Sequence, residues 1–102
     1  MHKLLFFMVV SLSFCAHALD DKRVAELDYM LRQDCGSCHG MRLTGGLGPA
    51  LTKKALKGKS DEYLRVTIKK GHPGTPMPPW EAILSDEDIQ WMVTTISQFE
   101  AQ

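Results

Sequence analysis

Cys35-Gly36-Ser37-Cys38-His39 is the stretch from which the rest of this chain can be read. Two residues between the cysteines set both sulfurs about one helical turn apart, on one side of a helix. The adjacent His39 directs its imidazole from the same turn. C-x-x-C-H is the pattern of c-type haem attachment, in which each thiol adds to a vinyl group of the porphyrin and the histidine takes the iron. Three other readings compete. A structural disulfide between Cys35 and Cys38 accounts for the cysteines but gives His39 no task. A thioredoxin-like redox pair needs a βαβ setting, which the surrounding sequence lacks. A zinc site needs two further ligands; His39 and His72 are available, but there is no second C-x-x-C. The expectation is one covalent haem c, attached through Cys35 and Cys38, with His39 on the iron.

Upstream, the first eighteen residues have the form of an export signal. Lys3, with His2, supplies the positive start, Leu4 to Phe14 is apolar apart from Ser11 and Ser13, and Ala16-His17-Ala18 gives a small-x-small cleavage pattern. The apolar run is well short of the roughly 20 residues that cross a bilayer. A lipid attached at Cys15 would need a small residue before it, and Phe14 stands there. Cleavage after Ala18 is expected, giving an exported domain over 19–102 with no membrane anchor. Cys15, His2 and His17 leave with the signal, so Cys35 and Cys38, His39 and His72 are what remain for chemistry. Twelve basic residues balance twelve acidic ones. That balance argues against nucleic-acid binding, which calls for a basic excess. A chain this short makes a thin core and usually needs a covalent or metal staple.

Three helices are predicted, with no alternating strand pattern. The first spans about Asp21 to Gln33, with Asp20 and Asp21 at its start and Val24, Leu27 and Leu31 on one face; Met30 can extend that stripe. The second begins after Ser60 as N-cap, with Asp61 and Glu62 in its first turn and Leu64 and Ile68 as an apolar pair, and ends in Lys69-Lys70-Gly71. The third starts at Ser85 with Asp88 at the capping-box position, carries Ile89, Met92, Val93 and Ile96 on one face, and runs to about Phe99. The segments 40–59 and 72–84 are too long for simple connectors in so small a domain and need something to pack against. A haem would supply it.

The far side of the iron calls for a second ligand, and methionine opposite histidine raises the reduction potential. Met41 follows His39 too closely to reach the opposite face, while Met30 and Met92 occupy apolar helical positions. Met77 lies in Gly74-Thr75-Pro76-Met77-Pro78-Pro79, where three prolines stiffen the chain and can hold a thioether still. Met77 is the favoured ligand and His72 the rival.

With Gly48-Pro49-Ala50-Leu51 following the attachment motif, and Met77-Pro78 and a last helix beyond it, the chain resembles a class I c-type cytochrome over nearly all of residues 19–102. The resemblance implies an all-α cytochrome c fold, in which three main helices and their loops wrap around one haem and the first and last helices cross. It makes Cys35 and Cys38 the thioether sites, His39 and Met77 the axial ligands, and Pro49 the carbonyl that orients His39. The wording of 34–41, 43–51 and 74–80 is similar to the cytochrome c55X family of denitrifying bacteria. That narrower resemblance implies a monomeric electron carrier, not an enzyme, taking electrons from an upstream donor and passing them to cytochrome cd1 nitrite reductase. Its alternative is a part in maturing that reductase through its haem d1. Docking would draw on Lys53, Lys54, Lys57, Lys59, Lys69 and Lys70, with Asp86, Glu87 and Asp88 at the start of the last helix. Trp80 is expected to pack on the porphyrin. Trp91, off the apolar stripe, either contacts the haem edge or stands exposed.

Overall fold

The computed structural model describes residues 8–13 and 19–101. Most of the expected signal, residues 1–7 and 14–18 with its cleavage site, lies outside them, as does Gln102. Residues 8–13 form neither helix nor strand, and Met8, Val9, Val10 and Leu12 are exposed.

Helix α1 is Asp21–Met30, and the Asp20 carboxylate caps it by accepting from the Arg23 amide at 2.7 Å. An aspartate here satisfies one of the unpaired donors of the first turn. The helix does not end at the predicted Gln33. It widens into a π turn over Leu31–Cys35 and continues as α2, Gly36–His39. No proline interrupts this run, Gly36 keeps a helical backbone, and the first residue with positive φ is Gly40. Helix α3, Asp61–Lys70, starts from Ser60, whose hydroxyl accepts from the Tyr63 amide at 3.1 Å. Helix α4, Asp86–Gln98, starts from a complete capping box of Ser85 and Asp88. Among the described residues there is no strand, as expected.

The core is where the helices meet. Leu27 and Leu31, Leu64, and Ile89, Met92, Val93 and Ile96 are buried together, joined by Leu43, Leu56 and Leu84 from the irregular segments. The loops are therefore anchored by their own leucines. Each such side chain contributes about 1.5–3 kcal/mol when fully buried. Met92 is buried and Met30 packs half-buried against this cluster, as their helical positions predict. Trp80 and Trp91 also pack half-buried against it, so Trp91 is not left exposed.

Polar contacts fix how the helices cross. Arg65 donates to Gln90 at 2.8 Å between α3 and α4. Arg23 on α1 holds Asp88 on α4 with two bonds, Nε to Oδ1 at 3.1 Å and Nη2 to Oδ2 at 2.7 Å. Asp88 is only 4% exposed, and its Oδ2 also accepts from the Ser85 amide at 3.0 Å. One carboxylate thus completes the α4 cap and clamps α4 to α1. The hydrogen bonds from Arg23 hold the Asp88 carboxyl below its ordinary 3.8, against the opposing effect of burial and with help from the Ser85 amide.

Asp88→Asn is expected to lower stability at neutral pH by about 1–3 kcal/mol, since it takes the charge out of the paired bonds between α1 and α4 and leaves Arg23 only its exposed partner Glu26. The folded chain keeps Asp88 ionised more readily than the unfolded chain does. Its stabilisation is therefore complete above the ordinary carboxylate range and is lost as the pH falls below about 4. Urea unfolding of both proteins, at neutral pH and below about pH 4, checks this. Equal midpoints at neutral pH would remove the clamp from the account.

Candidate cofactor site

Leu27, Leu31, Cys35 and His39 recur at every fourth residue. In a straight α-helix of about 3.6 residues per turn, the twelve steps from Leu27 to His39 make about 3.3 turns and leave His39 a third of a turn off the core face. The π turn takes up about one residue, so roughly 3.1 turns remain and the faces come back into line. Leu27 and Leu31 are buried, Cys35 packs half-buried against the core, and Cys38 and His39 are also half-buried. The wide turn thus brings the C-x-x-C-H segment to the edge of the core.

The segment that follows folds back over the helix end. The amides of Gly48 and Gly45 donate to the carbonyls of Cys38 and His39, each at 2.8 Å, and supply partners that a helix terminus lacks. Leu51 donates to the Leu43 carbonyl at 2.9 Å, closing the loop on the buried Leu43. This return carries Pro49 to His39, with Nδ1 2.6 Å from the Pro49 carbonyl oxygen. A carbonyl only accepts, so Nδ1 is the donor of this bond, and in the neutral ring that tautomer leaves the lone pair on Nε2. Gly48 lies flat against the same ring: a Cβ there would sit 2.7 Å from Cε1 and 2.8 Å from Nδ1 of His39. Sequence reading singled out Pro49 and missed this role of Gly48, because the approach depends on where the ring ends up.

Met77 stands on the other irregular segment, and its backbone hydrogen bonds stay within it. His72 donates its amide to the Met77 carbonyl at 3.2 Å, and the Met77 amide donates to the Thr75 hydroxyl at 3.3 Å. Thr75 in turn donates to the His72 carbonyl through its amide at 3.1 Å and its hydroxyl at 2.6 Å. At Gly71, φ is 75° and a Cβ would meet the Met77 carbonyl oxygen at 2.8 Å, so only glycine fits this close return. Met77 is half-buried while the His72 side chain is exposed.

These residues suit a c-type haem better than the other readings of the motif. The thiols of Cys35 and Cys38 are free, not joined to each other. Burial and the nearby Asp34 push the Cys35 thiol up to about 11, opposite to the lowered value of a redox-active thiolate. Among the described residues no group of three or more His, Cys, Asp or Glu gathers to hold a metal ion. Two free thiols and an imidazole oriented by Pro49 in one helical segment are what covalent haem attachment calls for, and Met77, on the other irregular segment, is half-buried.

The fold and this arrangement define a c-type cytochrome. Residues 22–94 match the family described as cytochrome C oxidase, cbb3-type, subunit III. The chain is 56% identical over 81 residues to cytochrome c55X of Pseudomonas aeruginosa, across 79% of this chain and 68% of that one. It is 45% identical over 83 residues to cytochrome c55X of Paracoccus denitrificans, across 81% of each. Among solved structures, the c-type cytochrome NirC superposes with a TM-score of 0.76 at 56% identity, covering 78% of this chain and 93% of that one. The structure titled dihydro-heme d1 dehydrogenase NirN in complex with DHE superposes with a TM-score of 0.68 at 29% identity, covering 74% of this chain and 16% of that one. The chain belongs to the cytochrome c55X family.

Gly48→Ala is expected to push the His39 ring from the Pro49 carbonyl and to cost about 1–3 kcal/mol, the usual penalty for overpacking. The His39 Nδ1 proton is expected to exchange more slowly in the parent protein than in the variant, as read in the nuclear magnetic resonance spectrum. An unchanged proton and an unchanged unfolding midpoint would show that the loop can absorb the methyl group.

Proposed function

We propose that this chain is an exported carrier of single electrons with one haem c, attached through Cys35 and Cys38 and ligated by His39 and Met77. The observation that carries the reading is the 2.6 Å contact between His39 Nδ1 and the Pro49 carbonyl, which leaves Nε2 of the neutral ring as the available ligand atom in a helical segment that also carries two unpaired thiols. A haem c bound there would supply an iron that cycles between Fe(III) and Fe(II). His39 is oriented by Pro49, an outer hydrogen bond of the kind that fixes ring and tautomer in metal ligands. Met77 is braced by Pro76, Pro78 and Pro79, which fix φ and offer no amide to competing partners. A ligand that stays in place in both oxidation states keeps the reorganisation of electron transfer small. With His39 and Met77 both holding it, the iron would have no position open for a substrate, which favours a carrier over an enzyme.

The electron acceptor we propose is cytochrome cd1 nitrite reductase, reached in the periplasm after removal of residues 1–18. Support comes from the cytochrome c55X relatives and from a relative in Pseudomonas aeruginosa named dihydro-heme d1 dehydrogenase, the d1 haem being that of the reductase. The likeness to that dehydrogenase spans 18% of its length, so it speaks for a shared cytochrome domain and not for a shared reaction. The relatives lend no separate support to a role in maturing the reductase. No helix among the described residues is long and apolar enough to cross a membrane.

Met77→Ala is expected to lower the reduction potential, open the iron to carbon monoxide and abolish the ferric thioether-to-iron charge-transfer band. Persistence of that band would take Met77 off the iron. Stopped-flow mixing of the reduced protein with oxidised cytochrome cd1 nitrite reductase tests the acceptor. Fast oxidation that slows with added salt supports it, and no transfer between two intact proteins removes it.

A further inference from the structure

The six lysines that the sequence groups together do not form one surface in the folded chain. Lys69 donates to Asp86 at 2.8 Å and Lys70 to Glu81 at 2.7 Å, so both ammonium groups are matched by carboxylates. Lys53 stands 3.9 Å from Glu100, at the outer limit of an ion pair. Lys59 lies over the Tyr63 ring at 5.3 Å, a contact that leaves its charge uncancelled. Lys54 and Lys57 have no carboxylate partner among the described residues. Between Asp34 and Asp61 the chain has no acidic residue at all, and it carries Arg42, Lys53, Lys54, Lys57 and Lys59.

These four lysines rim an open groove of about 700 Å³ between the 52–61 turn and the end of α4, with Leu56 and Phe99 on its apolar lining. Asp61 and Glu100 are the acidic residues there, so positive charge prevails. The turn is held in shape. Lys53 donates its amide to the Phe99 carbonyl at 2.8 Å, Leu56 to Thr52 at 2.9 Å and Lys59 to Leu56 at 3.1 Å, while the Leu56 side chain is buried in the core. Fixed backbone positions for the lysines lower the entropy lost when they are engaged. Leu56 is buried and Phe99 half-buried, so a flat bilayer could touch the rim but not the floor.

We propose that this groove is the docking surface for a protein partner that presents carboxylates, and that Lys69 and Lys70 take no part. The proposal rests on the electron-carrier reading for its purpose, but the binding it claims can be measured without electron transfer. Poly-glutamate serves as the carboxylate probe, added to the haem-loaded full chain at low salt while backbone amide resonances are followed. The expected result is perturbation centred on 53–59 and 99–101. Lys54→Glu with Lys57→Glu should weaken binding by about tenfold, whereas Lys22→Glu with Lys70→Glu, which changes net charge equally, should weaken it by less than about twofold. Perturbation centred on 69–70, or equal weakening by both double variants, would overturn the proposal. So would tighter binding to phosphatidylglycerol vesicles than to poly-glutamate at matched charge. Oxidation of the reduced protein by neutral benzoquinone needs no charged surface. Its failure would count against the carrier reading, and its success with lost probe binding against the docking surface alone.

Discussion

The contact between His39 Nδ1 and the Pro49 carbonyl is possible only because the chain doubles back immediately after the helix that carries His39. A helix terminus leaves its last carbonyls without partners, and a water-exposed end would satisfy them with solvent. Here the Gly45 and Gly48 amides do so at 2.8 Å, which returns the backbone over the ring. The bonds that end the helix are therefore the bonds that aim the imidazole. Gly48 shows how little room the arrangement leaves, since the space a Cβ would need is filled by the ring itself. Ending the helix and orienting the histidine are one structural event.

A core this small cannot by itself explain two ordered loops. They are ordered because each is tied at both levels: an inward leucine and a set of backbone bonds. The 40–60 segment sends in Leu43 and Leu56, and the 71–85 segment sends in Leu84. Trp80 and Glu81 donate to the carbonyls of Ile68 and Lys69 at 3.0 and 3.3 Å, which ties the second loop to the end of α3. The helical frame, in turn, is clamped through Asp88, whose carboxylate is shared between the start of α4 and Arg23 of α1. Site and frame thus share one apolar core but are held by different polar contacts. A change at Gly48 or Met77 need not undo the crossing of the helices.

Local chemistry was readable in the sequence, and tertiary proximity was not. Ser60, Ser85 and Asp88 announced their helix starts because a cap acts within three residues. Cys35, Cys38 and His39 stand out for the same reason, since the motif is one turn long. The end of α1 was misjudged because a 3.6-residue period leaves His39 off the stripe of Leu27 and Leu31, and the wide turn that brings it back leaves no local mark in the sequence. Pro49 was named through family resemblance, and the structure then brought it to the ring. The pairing of Arg23 with Asp88 spans 65 residues and no local pattern marks it. The lysines show the same limit: their number was plain, but which of them stay free depends on where Glu81 and Asp86 fall.

The two irregular segments hold their residues in different ways, and the difference bears on how such a protein could meet a partner. Met77 sits in a loop stiffened by proline, closed on Gly71, with the nearby Lys69 and Lys70 already matched by Asp86 and Glu81. Little charge is left on that side to attract anything. His39, Pro49 and the free lysines instead belong to one continuous stretch without an acidic residue, anchored by Leu43 and Leu56. Complementary charge governs encounter rate and orientation more than final affinity. On the proposed docking, a field concentrated on the histidine-bearing segment would turn that segment toward an acidic partner and leave the methionine loop out of the contact. If the chain carries electrons as proposed, separating the part that is touched from the part that must not move would let it release its partner after each transfer without shifting Met77.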